Sequence, residues 1–290
     1  MGMMIIREAT DSELPACRAL LPEIFTGTPL PEVLVAVTPD DARLIGALAI
    51  GWGNIDKPPG FPLWMHVQAE WRRRGVGAAL MRAAVALTAG ETSCLRAARP
   101  LRLGDPAEAF LRAQGFMARH DILHFETDSR RFLAMVGRTL VALGCHGRVP
   151  KAARIVALAD APHDAVARLV EAETGTSREI VRAAITGGHY DLQGSVALML
   201  GDRTVGALLY AWQGKMPVID IRVVAPAQRG AWANVMLLHA ATQNGLDAGS
   251  ERFRFFCRDD VLDTLKLAAK CAAVTTHVER QWMRETGAPE

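Results

Sequence analysis

The most informative segment of the 290-residue chain is VQAEWRRRGVGAAL, which runs from Val67 to Leu80. The apolar residues Leu63–Val67, which lead into this segment, are typical of a strand. From Gly75 onward, apolar residues recur at the spacing of a helix. A turn between a strand and a helix directs several backbone N–H groups towards one point, at the positive end of the helix dipole. Glycine at positions 75 and 77 lets an anion approach this backbone without meeting a side chain. The segment therefore predicts a pyrophosphate site at the start of a helix.

Other interpretations of this segment are less specific or are excluded. Arg72–Arg74 alone could be a solvated basic run, and a single G-x-G is often only a tight turn. The Rossmann fingerprint requires a third glycine after Gly77 at a fixed spacing, and the P-loop requires Gly-Lys-Ser/Thr. Neither pattern is present in the sequence.

The segment has a counterpart in the second half of the chain. Arg229 follows Arg72 by 157 residues (229 − 72), and the same offset places His277 on His120. Leu44–Leu48 also resembles Thr204–Leu208. A shared offset over a long stretch predicts a tandem duplication. At this offset, Trp232 replaces Gly75 and Asn234 replaces Gly77, so the second copy is expected to have lost the phosphate site.

The residues of the first copy resemble a known family. Arg72-x-x-Gly75-x-Gly77 is similar to the Q/R-x-x-G-x-G/A signature of the GCN5-related N-acetyltransferase (GNAT) family, and Ala109–Phe116 resembles that family's late helix and turn. The resemblance implies an α/β (α+β) fold of two tandem GNAT-like domains, each with a mixed, mostly antiparallel sheet flanked by helices. The predicted divisions are an acetyl-CoA-binding domain at 1–128, a linker helix and linker at 129–150, and a degenerate copy at 151–290.

The resemblance also implies a set of residues that bind acetyl-CoA as cosubstrate. They are Val67, Arg72, Arg73, Arg74, Gly75, Val76, Gly77 and Ala78. His66 and Glu70 lie at the end of the fourth strand, where family members often place the base that takes a proton from the acceptor amine. Histidine titrates in a suitable pH range. The alternative interpretation of His66 is a packed strand histidine.

The general acid is a departure from the family pattern. Many members carry a tyrosine that protonates the departing thiolate of CoA, and the corresponding position here is Leu111. The two tyrosines of the chain, Tyr190 and Tyr210, both belong to the second copy. The acid is therefore missing, lies across the domain junction, or is water.

The expected function is acetyl transfer from acetyl-CoA to an amine of a small-molecule or peptide acceptor held near the domain junction. The loop Gly51–Pro62 is expected to line the acceptor entrance. The second copy is expected to complete the acceptor groove and to stabilise the first copy. The alternative, favoured by Leu111, is a regulatory pseudoenzyme that binds acyl-CoA without turnover.

Composition excludes several other classes of protein. Half of the residues are hydrophobic and 22% are charged, which is too apolar for disorder. A net charge of +2 supplies no dedicated surface for nucleic acid or membrane. The five cysteines form no C-x-x-C pair, and His120 and His124 lack a third ligand at a metal-binding spacing, so no metal is expected. Without a signal-peptide pattern or an apolar run of ~18–20 residues, the chain is expected to be cytoplasmic. A homodimer is left open.

Overall fold

The computed structural model describes residues 4–22, 31–51 and 60–286, with the side chain of Ala231 excepted. These residues form two compact units. The first unit contains the chain up to Asp121 together with a segment that begins at Glu279, and the second contains Ile122–Val278. Residues 52–59 of the expected acceptor loop lie outside the described residues.

The first half of the chain supplies six strands and three helices in the described residues. They are β1 (Ile5–Glu8), α1 (Leu14–Leu20), β2 (Glu32–Val37), β3 (Leu44–Ile50), β4 (Phe61–Val67), α2 (Val76–Leu87), β5 (Cys94–Ala97), β6 (Leu101–Arg102) and α3 (Ala107–Ala113). Strands β1 to β4 pair antiparallel in chain order, and β4 pairs with β5 in parallel.

The remainder of the described chain repeats this order after one long strand and one long helix. Its elements are β7 (Met117–Asp128), α4 (Ser129–Cys145), β8 (Ala153–Ala157), α5 (His163–Thr174), α6 (Arg178–Thr186), β9 (Val196–Leu200), β10 (Arg203–Gln213), β11 (Met216–Val224), α7 (Ala231–Asp247), β12 (Arg252–Arg258), α8 (Leu262–Lys270) and β13 (Val274–Glu285). Here β8 to β11 pair antiparallel in chain order, and β11 pairs with β12 in parallel.

The two copies exchange their last strands. From Ile122 onward β7 pairs with β12 of the second unit, whereas Met283–Glu285 of β13 pairs with β5 of the first. Helix α4 also belongs to the second unit, where Phe132 and Val136 are buried in its core. The units therefore differ in their limits from the predicted division at 1–128, 129–150 and 151–290. The physical reason is that backbone ladders, and not proximity in sequence, decide which unit each terminal strand completes.

Helices cover both faces of the sheet of the first unit. The apolar stripe predicted for α2 is buried on one face, where Val76, Leu80 and Ala84 join the core. On the other face, Cys17 of α1 packs with Val33 and neighbouring strand residues. This arrangement leaves the carboxyl end of β4 between two layers of helix.

The offset of 157 holds in the structure from the end of β4 to the apolar face of α2, whereas β3 and its counterpart β10 are offset by 160 (206 − 46). Gly46 pairs with Val67 in the first unit, and Gly206 pairs with Val224 in the second. A Cβ at Gly46 would lie 3.3 Å from Leu80 Cδ1, and one at Gly206 would lie 3.1 Å from Leu237 Cδ1. The predicted fold class, a tandem pair of mixed and mostly antiparallel sheets with flanking helices, is confirmed.

Some local predictions differ from the structure. The sequence predicts a first helix over Ser12–Phe25, but α1 begins at Leu14. The Glu13 carboxylate accepts hydrogen bonds from the N–H and hydroxyl of Thr10 and fixes the preceding turn. The predicted continuation of the helix over residues 23–25 lies outside the described residues. The short strand β6 was not predicted. Among the helices of the described residues, none is both long and apolar enough to cross a bilayer.

Candidate active site

The strands β4 and β5 diverge beyond Leu63. Their parallel pairing ends at Leu63 and Ala97 in the described residues, whereas β4 continues to pair with β3 as far as Val67. In the described residues, the edge of β4 that faces β5 is therefore unpaired with β5 from residue 64 to residue 67. We call this opening the β4–β5 gap.

Backbone groups of β4 point into the β4–β5 gap. The carbonyl oxygen of Leu63 accepts a hydrogen bond from Ala98 N–H at 3.0 Å, on the side that faces β5. Alternate residues of a strand direct their backbone groups to the same side. The backbone groups of Met65 and Val67 therefore face the gap as well, and the N–H of Val67 is available to polarise a carbonyl group placed there.

A cavity of about 320 Å³ occupies the β4–β5 gap. Leu20 and Leu21 of α1 line it on one face of the sheet, whereas Met81 of α2 and Phe110 of α3 line it on the other. The cavity therefore passes through the sheet from the α2 side to the α1 side. Its volume and mostly apolar lining are typical of a small-ligand site.

The turn after β4 has an unusual backbone. Residues Ala69–Trp71 form a short 3₁₀ turn, Arg73 has a φ of +59°, and Gly75 has a φ of +85° where it precedes α2. A positive φ is easily adopted by glycine but is uncommon for arginine. These two left-handed residues reverse the chain so that α2 begins beside the β4–β5 gap.

The first N–H groups of α2 lie where the sequence predicts an anion site. The earliest helical hydrogen bond runs from Ala79 N–H to Gly75 O at 3.0 Å. The N–H groups of Val76, Gly77 and Ala78 have no intrahelical acceptor, because an α-helix leaves its first donors unpaired. Together with the helix dipole, they provide a site that favours phosphate.

Gly77 is also closely packed. A Cβ at this position would lie 3.3 Å from Phe110 Cζ and 3.5 Å from Met65 Cε. Both neighbouring side chains line the cavity in the β4–β5 gap. A Cβ at position 77 would therefore press on the Phe110 ring, which would have to shift by a few tenths of an ångström.

The three arginines of the turn are exposed but differ in their contacts. Arg72 Nε donates a hydrogen bond to Val67 O at 3.0 Å. The guanidinium of Arg74 lies over the Trp71 ring, 5.3 Å from its centroid. Arg72 therefore joins the end of β4 to the turn, whereas Arg74 packs on the outer side of the turn.

The structure separates the two candidate bases. His66 is partly buried and lines the cavity. Glu70 does not line it, and its half-exposed carboxylate accepts a hydrogen bond from Arg43 Nη2 at 2.7 Å. Only His66 is thus in a position to contact a ligand in the β4–β5 gap.

The expected position of the general acid is apolar in the structure. Leu111 is only 8% exposed and packs in the core of the first unit. Tyr190 and Tyr210 are both buried in the second unit, and burial raises the pKa of each. The first unit therefore provides no tyrosine among its described residues.

Sequence reasoning missed the residues that form the walls of the cavity. Met65 and Phe110 meet at Gly77, and Arg99 lines the cavity beyond the end of β5. Alternation along β4 could have placed Met65 on the α2 side with Val67. The contact between α3 and the cavity had no signal in the local sequence.

Solved structures with the GNAT fold resemble this chain over 98% or 99% of its length. A GCN5-related glucosamine N-acetyltransferase region of a fungal multi-domain GH3 β-N-acetylglucosaminidase has a TM-score of 0.66 at 13% identity, and this chain covers only 38% of that protein. A tandem GNAT protein from the clavulanic acid biosynthesis pathway has a TM-score of 0.58 at 16% identity and is covered to 100%. A GNAT from Sphaerobacter thermophilus has a TM-score of 0.54 at 15% identity and is covered to 96%.

The comparison confirms the predicted resemblance at the level of the fold. No family model matches the sequence, and no curated protein matches it. The chain has the tandem fold of the GCN5-related N-acetyltransferases.

Proposed function

We propose that the chain is a cytoplasmic N-acetyltransferase that transfers the acetyl group of acetyl-CoA to an amine of a small-molecule or peptide acceptor. The observation that carries the proposal is the cavity in the β4–β5 gap, whose lining residues Met65 and Phe110 also lie against Gly77 in the first turn of α2. A ligand with a phosphate end and a narrow apolar arm matches these two features.

The residues present fit acetyl-CoA. The N–H groups of Val76, Gly77 and Ala78 would hold the pyrophosphate, with the exposed guanidinium groups of Arg73 and Arg74 adding positive charge nearby. Gly75 and Arg72 would hold the turn in place. The apolar cavity would take the pantetheine arm, which carries the thioester towards His66.

The chemistry requires one proton acceptor and stabilisation of one oxygen. When bound, acetyl-CoA supplies an acetyl thioester, whose C–S bond breaks as the C–N bond to the amine forms. Val67 N–H donates to the carbonyl oxygen as negative charge develops on it. His66 accepts the proton that the amine nitrogen loses. Leu111 offers no proton to the departing sulfur, and water suffices because a free thiol has a reference pKa of ~8.5.

Glu70 is the second candidate for the base. Its carboxylate is 52% exposed and paired with Arg43, so it would have to leave that ion pair to reach an amine. The proposal therefore assigns the proton transfer to His66 and leaves Glu70 to orient the turn through Arg43.

The test is product formation with a panel of amines that includes polyamines, amino sugars, amino acids and peptide N-termini. Cys145 is exposed and would react with thiol reagents, so the acetylated amine is detected by mass spectrometry. We expect product with at least one class of amine and none with a Gly75→Trp variant. Binding of acetyl-CoA without product from any amine would contradict enzymatic activity.

A second candidate function is a regulatory protein that binds acyl-CoA without turnover. The buried Leu111 favours it, because the usual proton donor has been replaced by a core residue. Under this alternative, the wild-type chain binds acyl-CoA but acetylates none of the amines, and His66→Gln changes that binding only through the packing of the cavity.

A further inference from the structure

The second unit contains its own cavity, in a gap that corresponds to the β4–β5 gap. The parallel pairing of β11 with β12 is confined to Val218 and Ile219, whereas β11 pairs with β10 as far as Val224. A cavity of about 330 Å³ lies at this opening. We call it the second cavity.

The anion site of the first unit is not repeated beside the second cavity. Helix α7 begins at Ala231 and its cap, Gly230, has an extended backbone with φ of −170°. Trp232 therefore lies in the first turn of the helix, where it packs against the core of the second unit. Arg229, the counterpart of Arg72, instead forms an ion pair with Glu173. The second cavity has lost the features that suit a nucleotide.

An arginine lines the second cavity at the position of an apolar residue in the first. At the offset of 157, Arg222 replaces Met65, which lines the cavity of the β4–β5 gap. Arg222 Nη2 donates a hydrogen bond to the hydroxyl of Thr264 at 2.8 Å, and Thr264 is buried. Burial lowers the pKa of Arg222, with Cys257 and Asp263 acting in the opposite direction. The guanidinium nevertheless stays charged at neutral pH.

No acidic group of the described residues neutralises Arg222 in an ion pair. Asp220 lines the second cavity but is exposed, and its carboxylate accepts a hydrogen bond from the hydroxyl of Tyr190 at 2.7 Å. Arg258, the other cation of the lining, is already paired with Asp260. Burial raises the pKa of Cys257, so its thiol is neutral at pH 7. Asp263 is close enough to favour the charged form of Arg222, but it forms no ion pair with it. A partly buried cation that no carboxylate of the described residues contacts is costly, and an anionic ligand would remove this cost.

We propose that the second cavity binds a small organic carboxylate through Arg222. The planar guanidinium matches a carboxylate with two parallel hydrogen bonds. The Thr264 hydroxyl, which accepts from Arg222, still has its own hydrogen to donate to the same ligand. Phe253, Phe255 and Leu238 form an apolar wall, so the ligand is a carboxylic acid with an apolar body. This site is independent of acetyl transfer in the first unit.

The test uses the full chain and three probes of similar shape, namely octanoate, octan-1-ol and octylamine, in isothermal titration. We expect octanoate to bind wild type at one site roughly tenfold or more tighter than either of the others. Arg222→Met installs the residue of the first unit and should weaken octanoate by roughly tenfold or more while sparing octan-1-ol. Arg258→Met, which removes an already paired cation from the same lining, should leave octanoate affinity unchanged.

Equal affinity of wild type for octanoate and octan-1-ol would overturn the proposal, as would undiminished octanoate binding by Arg222→Met. The comparison of probes on wild type needs no variant. If Arg222→Met fails to fold, Thr264→Val is tested in its place. This variant retains the cation, and its affinity for octanoate should fall several-fold while its affinity for octan-1-ol stays the same. Absence of octanoate binding at millimolar concentration would also reject the site.

Discussion

Arg72 Nε donates a hydrogen bond to the carbonyl oxygen of Val67 at 3.0 Å and so joins the last residue of β4 to the turn that precedes α2. We expect Arg72→Ala to weaken acetyl-CoA binding by about 1 kcal/mol, because an exposed charged hydrogen bond contributes in the lower part of the usual range. Arg74→Ala removes the same charge without this hydrogen bond and should have the smaller effect in isothermal titration. If Arg74→Ala lost more acetyl-CoA affinity than Arg72→Ala, the hydrogen bond of Arg72 to Val67 would have no role in binding, and Arg72 would act through its charge alone.

Gly75 is expected to be required for its backbone conformation. Its φ of +85° costs a residue with a side chain ~1–2 kcal/mol, so Gly75→Ala should lower stability and shift the N–H groups of α2. Gly90 has the same φ of +85° and its Cβ would meet nothing within 4 Å. We therefore expect Gly90→Ala to lower the free energy of unfolding similarly while leaving acetyl-CoA affinity intact. Equal affinity losses in the two variants would contradict the anion site.

Gly77→Asn should weaken acetyl-CoA binding by at least ~1–2 kcal/mol, because the new side chain projects where phosphate meets backbone. The position also packs 3.3 Å from Phe110, so a control for packing is needed. Phe110→Ala removes this close contact. In that background, Gly77→Asn should still weaken the binding of acetyl-CoA. If Phe110→Ala restores the affinity of Gly77→Asn, the glycine serves packing only.

One chain is expected to bind one acetyl-CoA, in the first unit. Trp232 lies within the first turn of α7 at the position of Gly75, so the turn that exposes the N–H groups of α2 is absent from this part of the described chain. Titration should give a stoichiometry near one, which Gly75→Trp abolishes and Trp232→Gly leaves unchanged. At about 100 times its dissociation constant, the ligand should stabilise the binding unit by ~2.7 kcal/mol. A stoichiometry near two would show that the second unit retains a nucleotide site.

His66 is expected to determine the pH dependence of acetyl transfer. A general base acts only in its unprotonated form, so kcat/KM should rise with pH if His66 accepts the proton of the amine. His66→Gln should flatten this rise, whereas Glu70→Gln should leave it, because Glu70 is paired with Arg43 outside the cavity. An unchanged profile in His66→Gln together with a flattened one in Glu70→Gln would exchange the two assignments.

Local pattern was sufficient to predict most elements of the fold. The stripe of Val76, Leu80 and Ala84 predicted α2, and glycine at positions 75 and 77 predicted a turn at its start, although the positive φ of Gly75 was not foreseen. Both signals depend on residues within a few positions of one another. The start of α7 at Ala231 was harder, because Gly230 caps that helix with an extended backbone that its sequence does not distinguish from a left-handed one.

Contacts between distant residues could not be predicted from the sequence. Arg43 lies 27 residues before Glu70 in the sequence and forms an ion pair with it outside the cavity. Glu70, one of the two candidate bases, is therefore not in the lining of the cavity. The exchange of the last strands was also unpredicted, since β7 and β13 have similar patterns and either could complete either sheet. Side-chain register along a strand does not identify its partner.

The exchanged strand β13 has a consequence for synthesis of the protein. Because β5 pairs with Met283–Glu285, the first unit lacks one strand of its sheet until these residues have left the ribosome. Translation proceeds at ~5–20 residues per second, so the nascent first unit waits on the order of ten seconds or more with that edge of β5 exposed. An exposed strand edge is a template for pairing with other chains. The organisation of this tandem protein thus makes chaperone protection during translation most valuable for its N-terminal half.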